Sequence, residues 1–494
     1  MRERAVILGG GPCGLSAAWE FARQGIPVTV IEVGPKLGGL CATTEYNGFR
    51  FDYGGHRFIS KNRMLVEQVR GLLGDDLLVG ERRSVILLNG KVFHYPLSAR
   101  DLLKQNSLAL NLRALGDYLY SRARCRLSPC PEASFEEWVV NHFGRTLYDL
   151  FFGPYTEKLW GLPPSLISAD WTSQRISLLD LGDVLRRLVG LGGEVPRTYA
   201  PRFLYPRWGI GQIFDVIGRE IERLGGTIYL EAKVKAVEWK RREVQRIWFE
   251  KAGELMAVAG KYYVSTIPLP DLIHLFLPSL PDDLDKSVQA LSYRAMRFLN
   301  ILLDQEEVSP YTWMYVAEPG TVMTRIQEPK RRSPFNAPPG KGSLMLEIPC
   351  WVGDAIWHAS DAWLLARALD DLERLGFPLR GKVVDAFSTR ATHAYPVYSL
   401  AYREHRERLL GALEHFSNLV SCGRQGAFRY LFMDAAMEMG ILAARHLLGE
   451  RVRKEEVLEV GSEGNLLEVQ SVASSERIGG ATLEPSVRVG THPE

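Results

Sequence analysis

The sequence predicts an α/β fold in which one domain is interrupted by a second domain of helices and mixed strands. The chain begins with an apolar run, Ala5 to Leu8, that stops at a glycine cluster and continues with apolar residues at helical spacing. A similar change from strand to helix around glycine returns near Gly209 and near Gly423. Because strands that alternate with helices are typical of a parallel sheet, the three distant segments are expected to share one domain.

The first of these segments carries a nucleotide-binding pattern. Gly9, Gly11 and Gly14 form the spacing G-x-G-x-x-G between the strand and the helix. The first glycine permits the tight turn, the second lets the backbone approach a pyrophosphate, and the third lets the helix pack on the strand. A second strand, 27–31, ends at Glu32, whose carboxylate can accept hydrogen bonds from both hydroxyls of an adenosine ribose. The pattern therefore predicts a Rossmann-like domain that binds a dinucleotide.

The composition of the 494-residue chain excludes several other classes of function. It is 46% hydrophobic and 24% charged, as is usual for a soluble protein of two or three domains. The net charge of +2 favours neither nucleic acid nor an acidic surface as a partner. No apolar run is long enough to span a membrane, so a cytoplasmic protein without a transmembrane segment is expected. Six scattered cysteines predict free thiols and no metal site: Cys13, Cys41, Cys125, Cys130, Cys350 and Cys422.

Periodicity and turn residues predict the other elements of the cofactor domain, which is expected to comprise residues 1–97, 201–270 and 385–450. Its predicted helices are 63–74, 212–224 and 434–448. Its predicted strands include 227–230, 234–239, 243–249, 261–266 and a strand that starts at Asn418 and ends in Gly423. Asn89-Gly90 predicts a two-residue hairpin turn between 84–88 and 91–95. Asp434 is expected to cap the N-terminus of the last helix.

The second domain is expected to comprise residues 98–200 and 271–384, with helices at 101–120, 134–152, 178–191 and 362–375. Residues 451–494 form a C-terminal extension, of which 473–494 is predicted to be a mobile tail. The helix near 102–120 is followed by Arg122, Arg124 and Arg126 and could lie on a membrane or a partner. Packing of this helix in the core is the favoured alternative.

The start of the chain resembles a known group of flavoproteins. The stretch from Glu32 to Gly39, followed by Phe51-Asp-Tyr-Gly-Gly-His56, is similar to the FAD-binding start of the amine oxidase and protoporphyrinogen oxidase superfamily. The resemblance implies that FAD, bound non-covalently, is the cofactor rather than NAD, with NAD(P)H as a conceivable external reductant. With the motif residues, the predicted cofactor-binding set is Gly9, Gly11, Gly14, Glu32, Gly38, Gly39, Gly54, Gly55, His56, Val234, Gly423, Arg424, Met433 and Asp434.

Five further blocks resemble one branch of this superfamily, UDP-galactopyranose mutase and its uncharacterised relatives. The blocks are Gly-Gly-His-Arg-Phe at 54–58, Phe-Phe-Gly-Pro-Tyr-Thr-Glu-Lys-Leu-Trp-Gly at 151–161 with Arg175 nearby, Thr-Arg-Ile-Gln-Glu-Pro-Lys at 324–330, Tyr395-Pro396, and 423–430. They span most of the chain. The second and third blocks are unusual strings, so together the five are specific to this branch.

The residue types in these blocks suit an anionic sugar nucleotide. Arg175 and Arg325 offer planar guanidinium groups for diphosphate oxygens. Phe152 and Tyr155 offer ring faces for a base, and Tyr430 offers a hydroxyl to phosphate. The predicted substrate is therefore a small molecule, a nucleotide sugar.

Each predicted site residue has a structural alternative. The predicted catalytic residues are His56, Arg175, Arg325 and Tyr430. The predicted substrate-binding residues are Phe151, Phe152, Tyr155, Trp160, Arg175, Arg325, Tyr395 and Tyr430. The alternatives are that Phe151 and Trp160 are core aromatics, that either arginine forms a structural ion pair, and that His56 is a hydrogen-bonded core histidine.

The resemblance leaves three functions to compare. The first is a redox-neutral isomerisation between pyranose and furanose sugars through reduced flavin. The second is an FAD-dependent oxidoreductase, similar to protoporphyrinogen oxidases, amine oxidases or desaturases, that removes hydride from a small molecule. The third is a binding protein that has lost catalysis. Two departures from the bacterial mutases bear on this choice: Ile59 replaces the second histidine of His-x-Phe-His, and Phe432 replaces the aspartate of Tyr-x-Asp-Met. All three functions are compatible with an oligomer.

Overall fold

The computed structural model describes residues 3–95, 101, 104–175 and 202–461. The predicted helix at 178–191 and the predicted mobile tail at 473–494 lie outside the described residues. The described strands are β1 (Ala5–Leu8), β2 (Val28–Ile31), β3 (Thr43–Tyr46), β4 (Phe49–Asp52), β5 (Leu77–Glu81), β6 (Ser84–Leu88), β7 (Lys91–His94), β8 (Arg202–Pro206), β9 (Thr227–Tyr229), β10 (Ala232–Lys240), β11 (Glu243–Lys251), β12 (Glu254–Val258), β13 (Tyr262–Ser265), β14 (Phe276–Leu277), β15 (Tyr293–Leu303), β16 (Trp313–Val316), β17 (Arg325–Gln327), β18 (Gly342–Cys350), β19 (Val383–Pro396) and β20 (Leu419–Ser421).

The helices are named in the same way. They are α1 (Pro12–Arg23), α2 (Arg63–Leu73), α3 (Leu108–Leu127), α4 (Phe135–Phe143), α5 (Arg145–Leu147), α6 (Gly153–Trp160), α7 (Asp170–Arg175), α8 (Gln212–Arg223), α9 (Leu269–His274), α10 (Asp285–Ala290), α11 (Ala355–His358), α12 (Asp361–Arg374), α13 (Tyr402–Glu414), α14 (Gly423–Gly426), α15 (Met433–Leu447) and α16 (Lys454–Glu459). A π-helical turn, Tyr148–Phe152, connects α5 to α6.

The first sheet is parallel, with the strand order β20-β13-β1-β2-β9. Strand β1 lies at its centre and pairs with β2 and β13. All four residues of β1 are buried, and α1 and α15 pack against the sheet and against each other. Strands covered on both faces consist of continuous apolar runs, which is why β1 and β2 could be predicted. The three distant segments contribute strands to this one sheet, so the predicted α/β fold class is confirmed.

The second large sheet is mixed and has seven strands in the order β19-β15-β18-β17-β16-β6-β7. Its first strands are long and antiparallel, and β16 and β6 pair in parallel. The predicted hairpin is present between β6 and β7. Asn89 and Gly90 both have positive φ, 54° and 68°, as the predicted type of turn requires.

The boundaries between the two sheets differ from the predicted domain boundaries. Strands β6, β7 and most of β19 fall in segments that the sequence analysis assigned to the cofactor domain, yet they belong to the seven-stranded sheet. Strand periodicity is a local property, whereas the choice of sheet depends on distant partners. A smaller four-stranded sheet, β12-β11-β10-β14, follows β9. Its strand β12 was not predicted.

The helical block also differs from the prediction. The helix expected at 134–152 is broken after α4 at Gly144, whose φ of +84° is outside the helical range. The helix expected at 101–120 has its main part displaced: α3 begins after Ser107, whose hydroxyl accepts a hydrogen bond from the N–H of Leu110, and it continues to Leu127. Turn and capping residues thus set the helix ends in this block, and periodicity alone does not locate them.

The expectation that all six cysteines are free is wrong for one pair. Cys125, in the last turn of α3, is joined by a disulfide to Cys130 in the loop that follows, and their Cα atoms are 5.3 Å apart. The short loop after α3 turns back and brings the two residues together. The other four cysteines are free and buried.

The described residues offer neither a helix that could span a membrane nor a cluster of metal-ligating side chains. In residues 3–95, 101, 104–175 and 202–461, no helix combines the length and the apolar character needed to cross a bilayer. Within the same ranges, no group of three or more His, Cys, Asp or Glu residues is arranged to hold a metal ion.

Candidate active site

A cavity of about 960 Å³ is lined by residues of both the parallel sheet and the seven-stranded sheet. Its volume lies within the range of pockets that enclose cofactors and substrates. The ends of β1 and β2 contribute one part of its wall, and β15 to β18 contribute another. The fold thus brings together the glycine-rich turn and several of the blocks identified in the sequence.

The glycine-rich turn has the geometry that its three glycines predict. Gly9 has a φ of +103°, and a Cβ there would lie 2.3 Å from the Oγ1 of Thr266. A Cβ on Gly14 would lie 2.0 Å from the carbonyl oxygen of Gly9, so only glycine lets α1 start this close to β1. A Cβ on Gly11 would meet nothing within 4 Å, because this residue borders the open cavity. The turn leaves room for a group that contacts the backbone directly.

Two helices begin at the cavity without a side-chain cap. The N-cap residue of α1 is Gly11 and that of α15 is Phe432, and neither forms a side-chain capping hydrogen bond. The first N–H groups of a helix have no partner within the helix and attract negative charge. Both helix N-termini therefore favour an anionic or electron-rich group in the cavity.

The prediction that Asp434 caps α15 is wrong, because the helix begins one residue earlier, at Met433. Asp434 occupies the first turn and lines the cavity. Burial raises the pKa of its carboxyl group to about 6. Phe432, which has an apolar side chain, occupies the N-cap position instead. The comparison with the Tyr-x-Asp-Met string did not predict this N-cap.

Glu32 lies at the end of β2, as predicted, and borders the cavity. One carboxylate oxygen, Oε2, accepts a hydrogen bond from the N–H of Gly10 at 2.6 Å, and the other accepts one from the N–H of Gly34 at 2.6 Å. These two bonds fix the carboxylate beside the glycine-rich turn. Such an orientation places an acceptor where a ribose is expected.

Most of the other predicted cofactor residues also border the cavity: Gly39, Gly54, Gly55, His56, Val234, Gly423, Arg424 and Met433. Gly38 is not among the lining residues; its N–H donates a hydrogen bond to the carbonyl oxygen of Gly10 at 2.8 Å, and its φ is +99°. Gly39 approaches the glycine-rich turn so closely that its Cβ would lie 3.3 Å from the Cα of Gly11. The Gly38-Gly39 pair therefore lies against the glycine-rich turn.

His56 lies in the cavity wall as a neutral imidazole. Its Nε2 donates a hydrogen bond to the carbonyl oxygen of Tyr53 at 3.0 Å, which assigns the proton to this nitrogen. Its Nδ1 lies 3.9 Å from the Sγ of Cys41. Burial lowers the pKa of His56 to about 4, and the positive charge of Arg424 lowers it further. His56 is therefore a neutral polar group at pH 7, and its assignment as a catalytic residue stays a prediction.

Arg325 faces Glu347 across the neighbouring strands β17 and β18. Its Nε lies 3.1 Å from the Oε2 of Glu347, and its Nη2 donates to the hydroxyl of Tyr395 at 2.6 Å. Burial lowers the pKa of Arg325, but Glu347 and the neighbouring tyrosines together outweigh this effect, so that the pKa is raised overall. The structural ion pair, one of the two alternatives for Arg325, is thus present in a residue that also lines the cavity.

Glu347 is a residue that the sequence analysis did not assign to the site. Its Oε1 accepts hydrogen bonds from the N–H of Gly55 at 3.1 Å and from the side-chain amide of Gln327. It therefore links the Gly54-Gly55 turn to Arg325. The available signal was a single carboxylate in the otherwise apolar strand β18, a position at which an acid needs a partner.

Two stacked tyrosines form a further part of the wall. The rings of Tyr395 and Tyr430 are 5.8 Å apart and nearly parallel, at 7°. The guanidinium carbon of Arg424 lies 4.9 Å from the centre of the first ring and 4.4 Å from the second. Arg424 is held by a 2.6 Å hydrogen bond from its Nη2 to the carbonyl of Ala394. The result is a cation fixed beside two aromatic faces.

A second cation on an aromatic ring was missed by the sequence analysis. The guanidinium carbon of Arg57 lies 4.8 Å from the ring centre of Trp313. Tyr315, two residues further along β16, lies 4.7 Å from Tyr95, and all four residues line the cavity. The spacing of Trp313 and Tyr315 places both rings on one face of a strand, which is the signal that could have found them.

The predicted aromatic residues of the second block do not line the described part of the cavity wall. Phe151 packs edge-on against Phe93 at 5.4 Å, and Phe152 stacks on Phe143 at 5.3 Å. The structure thus places Phe151 in the core, as its structural alternative proposed.

Trp160 and Tyr155 form a layer behind the cavity wall. Trp160 is almost fully buried and packs edge-on against Trp171 and Tyr395. Tyr155 contacts Tyr315 edge-on at 6.2 Å and so supports a ring that does line the cavity. Arg175 is the last residue of α7, and its side chain lies outside the described part of the structure.

The fold is that of an α/β protein in which a glycine-rich turn typical of dinucleotide binding opens on a cavity between two sheets. The family model for flavin containing amine oxidoreductase matches residues 12–448. The chain therefore belongs to the flavin-containing amine oxidoreductase family, and FAD is its implied cofactor.

Three known proteins illustrate the similarity. "Protoporphyrinogen oxidase 1, chloroplastic" from Arabidopsis thaliana is 24% identical over 408 residues, which cover 75% of this chain and 74% of that protein. "Probable UDP-galactopyranose mutase" from Klebsiella pneumoniae is 26% identical over 181 residues, 34% of this chain and 43% of that protein. The crystal structure of reduced UDP-galactopyranose mutase superposes with a TM-score of 0.81 at 23% identity, covering 94% of this chain and 99% of that one. This last likeness is one of fold.

Observed features of the cavity fit FAD. Gly11 borders open space at the N-terminus of α1, where a pyrophosphate can meet backbone N–H groups. Glu32 presents a fixed carboxylate beside the same turn. The N-terminus of α15, which has no side-chain cap, borders the same cavity, as do Gly423 and Arg424. The chain therefore offers separate groups to the ribose, the pyrophosphate and the ring system.

Proposed function

We propose that this protein is an FAD-dependent enzyme that acts on a nucleotide sugar, and that it isomerises the sugar between ring forms without net oxidation. The observation that carries this proposal is the cationic and aromatic wall of the cavity. Arg424 lies beside the stacked Tyr395 and Tyr430, and Arg57 lies on Trp313. Guanidinium groups beside ring faces suit a ligand that combines a diphosphate with a planar base.

FAD bound in this cavity supplies a ring that stores two electrons and that is nucleophilic when reduced. The chain binds and orients it: Gly9, Gly11 and Glu32 hold its nucleotide half, and the N-terminus of α15 favours negative charge at the other end. We propose that FAD is held non-covalently by these contacts.

Arg325 has a different role from the one that its sequence block suggests. Its Nε and Nη2 are engaged by Glu347 and Tyr395, and its Nη1 forms no hydrogen bond with the described residues. We therefore assign to Arg325 the orientation of the Tyr395 hydroxyl, with the two N–H groups of Nη1 left for substrate oxygens. Binding of the diphosphate falls mainly to Arg57 and Arg424.

The second candidate function is oxidation of a small molecule by removal of hydride. It is favoured by Ile59 and Phe432, two apolar side chains that border the cavity where the mutases have polar groups. The similarity to a protoporphyrinogen oxidase over 75% of the chain also supports it. An apolar substrate, however, gains little from Arg57 and Arg424.

The redox balance separates these two functions. The enzyme is reduced anaerobically, with dithionite and NAD(P)H compared as reductants, and is then given UDP-sugars and dTDP-sugars. Isomerised product that forms without consumption of an electron acceptor supports the proposal. Product that forms one-to-one with acceptor consumption, by enzyme active in its oxidised state, contradicts it and establishes the oxidase.

Ligand binding gives an independent test with a matched control. Titration with UDP is expected to perturb the flavin absorbance, and Arg57→Gln is expected to weaken UDP binding by about tenfold to a hundredfold, the effect of losing one charge-assisted hydrogen bond. Arg50→Gln is the control, because Arg50 lies on Trp208 at 4.5 Å in the same manner but does not line the cavity. Equal binding by both variants would remove the main support for the nucleotide sugar.

A further inference from the structure

The helix α3 carries an exposed stripe that the cofactor cavity does not use. The helix has 20 residues, of which only Ser121 is buried. Leu108, Leu112, Leu115 and Leu119 are between 38% and 72% exposed. Leucines at successive positions i, i+4, i+7 and i+11 lie on one side of a helix, so the four form a continuous apolar stripe about 16 Å long.

The same stripe becomes cationic toward the C-terminal end of α3. Arg122 and Arg126 follow Leu119 at the next two helical positions of the stripe, and both are exposed. Arg113 and Arg124 are also exposed and lie farther around the helix. The exposed side thus consists of three apolar turns followed by a positively charged end.

The opposite side of α3 faces the protein. Asp117, the one acidic residue of this helix, accepts hydrogen bonds from the N–H of Thr146 at 3.0 Å and from its hydroxyl. The acid is therefore turned away from the stripe and does not neutralise its arginines. α3 packs on α4 and α5 through this inner side, which leaves the leucines outside.

We propose that α3 docks on the surface of a membrane that contains anionic lipid. The four leucines enter the boundary between head groups and acyl chains, and Arg122 and Arg126 pair with lipid phosphates. Arg122 and Arg126 continue the leucine side of the helix toward its C-terminal end, so their long side chains can reach up to the head groups while the leucines enter the interface. The charge selects an anionic lipid over a second copy of the chain, since α3 of another copy presents no outward carboxylate to these arginines.

Flotation of the FAD-loaded protein with vesicles tests the proposal. The protein is expected to float with vesicles of phosphatidylcholine and phosphatidylglycerol and to stay behind with vesicles of phosphatidylcholine alone. Arg122→Gln/Arg126→Gln is expected to lower the affinity for the anionic vesicles about thirtyfold, because each arginine near the lipid surface contributes about a fivefold effect. Leu112→Gln/Leu115→Gln/Leu119→Gln is expected to abolish flotation.

The matched control changes three exposed leucines elsewhere, Leu255→Gln/Leu277→Gln/Leu400→Gln, and is expected to float like the wild type. A variant that keeps the wild-type flavin spectrum and thermal midpoint is taken as folded. If the leucine variant does not fold, the flotation of the Arg122→Gln/Arg126→Gln variant alone tests the proposal. Three results would overturn the proposal: no flotation with anionic vesicles, flotation that is unaffected by the arginine pair, or a dimer in solution that the leucine variant converts to monomer.

Discussion

Glu347 and Arg325 are opposite charges enclosed in the same wall, and each is the reason that the other can be buried. The guanidinium group is almost fully removed from water, and its Nε lies 3.1 Å from Glu347. A buried ion pair adds little stability compared with apolar residues of similar size, but removal of one partner leaves a charge without compensation.

Glu347→Gln is therefore expected to lower the free energy of unfolding by on the order of 3 kcal/mol, as for other broken buried pairs. The double variant Arg325→Met/Glu347→Leu is expected to recover most of this loss, because no buried charge remains. Denaturant unfolding of wild type, single and double variants measures both effects. A double variant as unstable as Glu347→Gln would contradict the explanation.

His56 gives the stability a definite pH dependence. Its pKa in the folded protein is about 4, below the ordinary value of 6.5, so the unfolded chain binds a proton between these values while the folded protein does not. The contribution of His56 to stability is therefore complete above pH 6.5 and is lost as the pH falls toward 4. Asp434 has the opposite effect. Its pKa in the folded protein is raised to about 6, so its contribution to stability increases as the pH falls below 6.

The variant His56→Asn is expected to make the fall in thermal midpoint between pH 6.5 and 4 shallower than in the wild type. The measurement is the thermal midpoint at several pH values across this window. The matched comparison is Asp434→Asn, which removes the opposing carboxyl group and should make the fall steeper. Equal slopes in all three proteins would exclude His56 as a buried neutral group.

For individual residues, the sequence predicted which positions border the nucleotide-binding turn better than it predicted the role of each side chain in the cavity. The glycines and Glu32 could be predicted because a phosphate-binding turn imposes local spacing. Glu347 could not, because its significance depends on Arg325 being placed opposite it by the pairing of two strands. Phe151 and Trp160 were predicted to contact substrate, but nothing in the spacing of an aromatic residue distinguishes a pocket wall from the layer behind it.

Among the elements, α1 and α15 pack in close contact. A Cβ on Gly440 would lie 2.0 Å from the carbonyl oxygen of Cys13 in the first turn of α1. The glycine thus lets two helices whose N-termini face the cavity pack side by side. Any larger residue must separate them and move the turn that contacts the cofactor.

Gly440→Ala is expected to destabilise the protein by about 1–3 kcal/mol, the usual effect of overpacking, and to weaken FAD retention. Gly411→Ala is the control: Gly411 lies in α13, where a Cβ would meet nothing within 4 Å. This second change is expected to stabilise the helix by up to about 1 kcal/mol. Thermal midpoints and bound FAD per chain are measured for both. Similar behaviour of the two variants would show that the contact is not restrictive.

The elements of the parallel sheet were predicted because buried strands and amphipathic helices leave clear local patterns, as β1, α1 and α8 illustrate. The assembly of the seven-stranded sheet was not predicted from the sequence. Its β6 pairs with β16, which is supplied by a remote part of the chain. Local periodicity contains no information about such a partner, and this is why the predicted domain boundaries differ from the sheets.

The whole molecule is expected to hold FAD without a covalent bond. Every group assigned to FAD acts through hydrogen bonds, helix N-termini or ring contacts. Acid precipitation is therefore expected to release all of the flavin, leaving a colourless pellet. Gly11→Val is expected to abolish retention from the start, because its side chain would occupy the open space beside the turn. Colour that remains in the wild-type pellet would contradict non-covalent binding.

The position of β20 in the parallel sheet has a consequence for synthesis on the ribosome. β20 pairs with β13, which pairs with β1, and α15 then covers α1. The turn at Gly9 to Gly14 is therefore synthesised long before α15, the helix that packs on α1. At usual elongation rates the nascent nucleotide-binding turn waits on the order of tens of seconds for these partners. Throughout that interval its apolar strand has no complete sheet to join, so the growing chain depends on protection from aggregation before FAD can bind.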